Sequence, residues 1–409
     1  MGAAEFPDAL PDASTVTSSQ TLLAADLADQ QDTDRNELRA IATKLGLVAS
    51  TPVKGRFLGA TADGDSEWLP APGPNLLLNG DGRVNQRVSA ATTDNGYGPD
   101  MWRLVIEAAT AATLTKTIGG LPSSGSSGSG LLLEIGASNN NKCGFWQPIR
   151  SDSSIHTRGG TVSLQLNARA SVSRIGDVRA AAIEFVGTAD NGGSAWGDPV
   201  SSWGSAGTNP TLSTNWSYCG TPVNLSVPTS WGDPIKIEAL PVGNTTQNLG
   251  VLVWIDDKTT TAGDYLIVTD LKLEAGDICT AVHESKIEEL IDACEAYYQK
   301  SIDLAATPLS ASQGEAYPTY AGTVGSNDIY ERVNFRTRMY GTPTVRIWPW
   351  TTPANTSRVS NSGGTDLAAG SGTPYVPKAT GFAVQNASGG SITTGGNQVL
   401  FAWDAVAPW

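Results

Sequence analysis

The chemistry open to this chain is bounded by its few reactive side chains. Its four cysteines, Cys143, Cys219, Cys279 and Cys294, are scattered and form no CxxC pair. They read as free, mostly buried thiols; one disulfide stays open, but a disulfide framework does not. Only two histidines occur, His156 and His283, so a zinc site built on His/Cys spacing is not expected. The acidic stretch DGDSE at 63–67 lacks the spaced ligands, glycine and terminal glutamate of a calcium loop. No GxSxG, P-loop or glycine-rich strand-to-helix turn is found. Forty acidic residues leave a pair of glycosidase carboxylates formally possible. However, no repeat of β-helix period runs through the chain. The reading is a non-enzyme with no catalytic residue, no metal and no cofactor.

Aromatic side chains are the other candidates, since a flat ring stacks on the apolar face of a pyranose. The chain has 12 tryptophans and 10 tyrosines. Trp348, Trp350, Tyr375 and Trp403 sit in the last hundred or so residues, with Trp409 at the end. Trp196, Trp203 and Trp231 lie in loops rich in Gly, Ser and Pro. We take Trp348, Trp350, Tyr375, Trp403, Trp196 and Trp203 as candidate glycan or receptor contacts; packing in a core or between chains is the alternative for each. Trp102, Trp216 and Trp254 stand in strand-like contexts and are expected in the core.

Charge excludes other partners. The net charge is −14 and no Lys/Arg run occurs, so the footprint of a nucleic-acid binder is missing. No apolar run approaches the roughly 18 residues of a membrane span. The N-terminus, MGAAEFPDAL, has neither the basic flank nor the apolar core of a secretory signal.

The elements that must position these residues follow from periodicity. Residues 1–17 show none and read as an extended arm. Residues 18–50 read as a helix whose seam positions Leu38, Ile41, Leu45 and Val48 are spaced 3, 4 and 3, with Leu27 on the same register. Either this is an amphipathic helix packed on its own domain, or a parallel coiled coil between identical chains; the second is favoured. Residues 51–74 read as a short β stem. Residues 75–283 read as eight to ten short antiparallel strands in one sandwich, among them 161–171, 180–187, 236–240, 251–257 and 264–276. SKIEELIDACEAYYQKS, 285–301, reads as a helix with a Ser285/Glu288 capping box and an apolar face of Ile287, Leu290, Ile291, Cys294 and Tyr298. It lies in a connecting segment, 284–305. Residues 306–409 read as a small second β-domain with strands near 333–339, 344–350, 381–387 and 397–409.

Five stretches in order, NLLLNGDGRVNQR (75–87), GYGPDMWR (96–103), TVSLQLNARAS, DYLIVTDLKLEAGD and EELIDACEAYYQKS, resemble a module of bacteriophage tail fibres and other virion fibres. The module opens with a leucine-rich strand and closes with a "CxxYY" helix. Its fold is similar to the carbohydrate-binding jelly rolls of glycoside hydrolases. One departure is Met101, where the family pattern has Arg. GRFLGATADGDSEWL (55–69) resembles a fibre stem repeat, and VNFRTRMYGTPTV with the terminal WDAVAPW resembles the tip domain that follows such modules. The resemblance implies a mainly β, homotrimeric virion fibre, assembled in the host cytoplasm, docked to other virion proteins by the arm and touching a host glycan or receptor at the tip. A head fibre or capsid decoration protein, a polysaccharide-degrading tailspike and a bacterial surface sugar-binding protein are the rival implications.

Overall fold

The computed structural model of the chain describes residues 56–60, 66–70 and 73–408, apart from 109–110, 123–127, 139–140, 192–197, 257–258, 284, 310–314, 319–322 and 395–397. For 56–60, 66–70, 315–318 and 330 it describes the backbone only. The arm and the seam positions Leu27, Leu38, Ile41, Leu45 and Val48 lie outside the described residues, as do Trp196 and Trp409. In the expected stem, β1 (Arg56–Ala60) pairs antiparallel with β2 (Ser66–Pro70), Phe57 opposite Leu69. Residues 1–72 form one compact unit and 73–409 another.

The described residues are mainly β, in antiparallel sheets. In the second unit, two five-stranded sheets enclose the larger core. The first sheet runs β11 (Trp216–Tyr218), β8 (Val178–Phe185), β13 (Asn248–Ile255), β6 (Cys143–Ile149), β3 (Arg103–Ile106). The second runs β12 (Ile235–Pro241), β7 (Thr161–Ala170), β14 (Tyr265–Ala275), β5 (Gly130–Ile135), β4 (Ala112–Thr117). Successive strands from β5 to β8, and again from β11 to β14, alternate between the sheets, which is jelly-roll winding. Leu164, Leu166, Val251, Val253, Leu266 and Leu273 meet between them. Residues 75–283 thus hold twelve described strands rather than eight to ten; the additional pair is a small hairpin, β9 (Val200–Ser202) with β10 (Thr211–Leu212).

The C-terminal region is built on β24 (Gln398–Val406), which pairs with β15 (Tyr298–Lys300), β16 (Glu315–Pro318), β19 (Thr344–Pro349) and β20 (Ser360–Asn361). β18 (Ile329–Asn334), β22 (Gly381–Gln385) and β21 (Thr373–Lys378) form a three-stranded sheet, and β17 (Thr323–Val324) pairs with β23 (Ile392–Thr393). Phe335, Ile347, Phe382, Phe401 and Trp403 are in its core.

Three local expectations are corrected. The helix spans only Ile287–Glu295; its N-cap is Lys286, with no side-chain cap, so the Ser285 capping box does not form. Tyr298–Lys300 instead pair with Val406–Asp404, because aromatic residues facing an open strand gain more from sheet pairing than from one more helical turn. Second, Asn75–Leu78 is not a ladder strand. One backbone bond remains, Leu76 N to Leu273 O at 2.7 Å, and the Asn75 side chain adds two more: Nδ2 donates to Leu271 O (2.9 Å) and Oδ1 accepts from Leu273 N (3.0 Å). Leu76 and Leu77 are still buried in the larger core. Third, the strand expected at 333–339 is β18, which ends at Asn334; Phe335 and Met339 follow as buried anchors whose N–H groups donate to Thr380 O and Ala379 O.

Candidate functional site

The ordered motifs converge on a fastening, not on an opening. Asn79 turns the chain with a positive φ of 55°, and its Nδ2 donates to Val84 O and Asp100 O, both at 2.8 Å. Trp102 Nε1 donates to Asn79 O at 2.7 Å. Gln86 Nε2 donates to Asp100 Oδ2 (2.7 Å) and to Tyr298 O (3.1 Å), so it ties the sandwich to β15. The Arg87 guanidinium lies 4.2 Å from the Tyr97 ring centre, 3.9 Å from that of Tyr298 and 3.6 Å from Asp100. Burial pushes the Asp100 carboxyl above its ordinary range, although Arg87 and Gln86 oppose the shift. Met101 is buried with Val84, Leu290 and Cys294. That position is therefore an apolar contact with the helix, and the whole cluster is structural.

The predicted aromatic contacts are not brought together. Trp348 is fully buried with Ile302 and Ala402 on one face of the β19–β24 pair. Trp403 lies in the C-terminal core, its ring 5.5 Å from Phe335 and 5.4 Å from Phe382. Neither reaches the surface of the chain, because that strand pair is covered on both sides. Trp203 is buried too. It joins Trp146, Trp216 and Trp254 in an aromatic layer on the outer face of the first sheet, where Trp146 and Trp216 meet edge to face at 5.7 Å. Val200 and Leu212 of the β9–β10 hairpin pack over that layer. Buried charges pin the covering loop. Asp256 is bonded to Lys142, accepts from Gly207 N at 2.9 Å and lies 3.1 Å from Arg179. Lys142 also donates to Thr208 O at 2.7 Å. Among the nine tryptophans whose side chains are described, only Trp231 and Trp350 are not buried. Tyr375 is 43% exposed on β21, the edge strand of its three-stranded sheet.

Trp231 has a built setting. The outer face of the second sheet carries Arg169 on β7, cross-strand from Ile267 on β14, with Tyr265 two residues before Ile267. Trp231 projects from the loop before β12, and its Nε1 donates to Gly120 O at 2.6 Å. Arg169 Cζ lies 5.8 Å from the Trp231 ring centre and 5.7 Å from that of Tyr265, and Arg169 Nη2 donates to Tyr265 Oη at 3.1 Å. Gly120 has a positive φ of 67°, a backbone conformation that favours glycine. Trp231, Tyr265 and Arg169 are all half-buried. Two fixed rings flanking a cation, on a sheet face, can stack a sugar ring and donate hydrogen bonds to it.

No protein-family model matches the chain, and a search of curated proteins finds no match. Among solved structures, the chain is similar to the C-terminal family 22 carbohydrate binding module of Clostridium thermocellum Xyn10B, at 12% identity over 48% of this chain and 98% of that one, TM-score 0.26. It is similar to the CBM22-1 xylan-binding domain of Paenibacillus barcinonensis Xyn10C, at 9% identity over 51% and 98%, TM-score 0.26. A third is the family 11 carbohydrate-binding module of the Clostridium thermocellum cellulase Lic26A-Cel5E, at 8% identity over 46% and 95%, TM-score 0.23. Likenesses this low carry no argument about this chain.

Other reactive groups are quiet. All four cysteines are free and buried, as the spacing led us to expect. Burial pushes the Cys143 thiol up to about 12 and the Cys279 thiol up to about 11, so both are protonated at neutral pH. His156 and His283 are both exposed and far apart in sequence, and no group of metal-ligating side chains occurs among the described residues. Sequence reasoning named Trp231 but not Arg169 or Tyr265. Those two belong to separate strands, and only the β7–β14 register makes them neighbours.

Proposed function

We propose that this chain is a non-catalytic adhesion subunit of a bacteriophage fibre that holds host surface glycan. The observation that carries the glycan contact is the half-exposed Trp231 ring, fixed at its edge by Gly120 and set beside Tyr265 and Arg169. The fibre assignment is supported by the five ordered motifs, which resemble a fibre module along some 225 residues. Side chains of the first, second and fifth motifs fasten the sandwich to the C-terminal sheet. The heptad seam supports a homotrimer docked to other virion proteins by its arm. Three copies on one axis raise the effective concentration of each weak contact. Trp350 and Tyr375 offer a second contact at the tip.

Adsorption tests the reading. The full-length protein should block phage adsorption to host cells, and it should sediment at three times 42.5 kDa. Trp231→Ala should lose most of the blocking while remaining folded by circular dichroism. Full blocking by that variant moves the contact to Trp350 and Tyr375. Release of reducing ends from host polysaccharide would instead make the protein a tailspike.

A further inference from the structure

The Arg169 side chain is more than a sugar-stacking accessory. No carboxylate among the described residues pairs with it, and its Nε is buried with no hydrogen-bond partner. Seven other arginines lie within ion-pair distance of an Asp or Glu. Arg158, also half-buried and without an ion pair, is held by the Thr246 carbonyl and Gln247 Oε1 instead, whereas the hydrogen bond of Arg169 goes to the Tyr265 hydroxyl. Partial burial of an unneutralised guanidinium costs free energy that a bound anion recovers. Nearby acids do not supply that anion. Glu134, cross-strand from Tyr265, is exposed, and so is Asp233, two residues beyond Trp231; neither makes an ion pair with Arg169.

We infer that this face selects acidic glycans, with a uronate-type carboxylate seated on Arg169 between the Trp231 and Tyr265 rings. The inference rests on the glycan reading above and narrows it. The planar guanidinium presents paired N–H donors that match a carboxylate, which a neutral sugar hydroxyl does not. The rings supply stacking for a pyranose. A carboxylate carried on a stacked ring gains the ring contacts as well as the guanidinium, which a free anion does not. Inorganic anions therefore compete poorly, and the acid must be carried on a stacked ring.

The test uses the full-length protein and two polymers, polygalacturonate and hyaluronate, each beside its carboxyl-reduced neutral counterpart. Binding is read by isothermal titration, with free acetate as competitor. The expected result is binding to at least one acidic polymer, weakened roughly tenfold to a hundredfold by carboxyl reduction and by Arg169→Gln. Binding to the neutral counterpart should be lost in Trp231→Ala, and Arg169→Gln should weaken it far less than it weakens binding of the acidic polymer. Equal binding of acidic and reduced forms overturns the inference and leaves the glycan reading standing. Binding of neither form, or acidic binding untouched by Arg169→Gln, also overturns it. Displacement by millimolar acetate shows a simple anion site and overturns the requirement for a ring. Arg169→Lys keeps the charge without the fork and should recover only part of the acidic preference, which a fold defect would not reproduce.

Discussion

Replacing Asp256 by alanine should unpin the loop that covers the aromatic layer. Asp256 and Lys142 are wholly buried and Arg179 is nearly so. Asp256 Oδ1 faces Lys142 Nζ and accepts from Trp254 Nε1 at 3.3 Å; Oδ2 accepts from Gly207 N and faces Arg179. Without the carboxylate, Lys142 keeps Thr208 O, and Arg179 keeps Asn209 Oδ1, Gly207 O and the Asp177 carboxylate. Removing one member of a buried pair costs about 3–5 kcal/mol, because the remaining charge is desolvated and unpaired. Lys142 is left with no carboxylate while Arg179 keeps Asp177 at 3.8 Å, so the middle of that range is expected. Urea unfolding followed by tryptophan fluorescence reads the loss, since Trp146, Trp203, Trp216 and Trp254 all lie under or in the loop. Acrylamide should also quench the folded variant more strongly than the wild type. A loss below about 1 kcal/mol, the size of a surface pair, would refute the account of the loop as held by buried charge.

Two further outcomes follow from the same packing. Gly144→Ala places a Cβ 2.3 Å from Val253 O and 2.8 Å from Trp254 Cβ in the middle of the first sheet; it should lower the sandwich's unfolding free energy by roughly 1–3 kcal/mol or more, measured in urea. Burial pushes the Asp264 carboxyl up, but hydrogen bonds from Arg174 and Thr261 outweigh that and hold it below the ordinary aspartate value of 3.8. A depressed folded value means stability that is present above the unfolded pKa and is lost as pH falls through the folded one. Arg174→Gln should therefore be less stable than wild type at neutral pH, and the two unfolding curves should converge below pH 3.8; a gap that persists in strong acid would assign the effect to packing.

Strand positions were legible because alternation is local. The sequence placed β7, β8, β13, β14, β19 and β24, and it placed Trp102, Trp216 and Trp254 in the core, where they lie. The helix was legible in type but not in length, because Tyr298–Lys300 are claimed by β24, about a hundred residues away. The leucine-rich start was legible as buried, yet no sequence pattern reveals that the Asn75 side chain bonds two backbone groups of β14. Exposure was the least legible property. Trp203 sits in a Gly/Ser loop like Trp231, but one loop folds back over a sheet and is anchored by Lys142, Asp256 and Arg179, while the other stands at the edge of a face left open. The sequence by itself determined the mainly β class, the buried free thiols and the run of motifs. Only the tertiary structure decided that those motifs form a fastening, and that Arg169, Trp231 and Tyr265 share one face. A residue's type and period fix which side of its own strand it takes; what covers that side comes from chain segments far off in sequence.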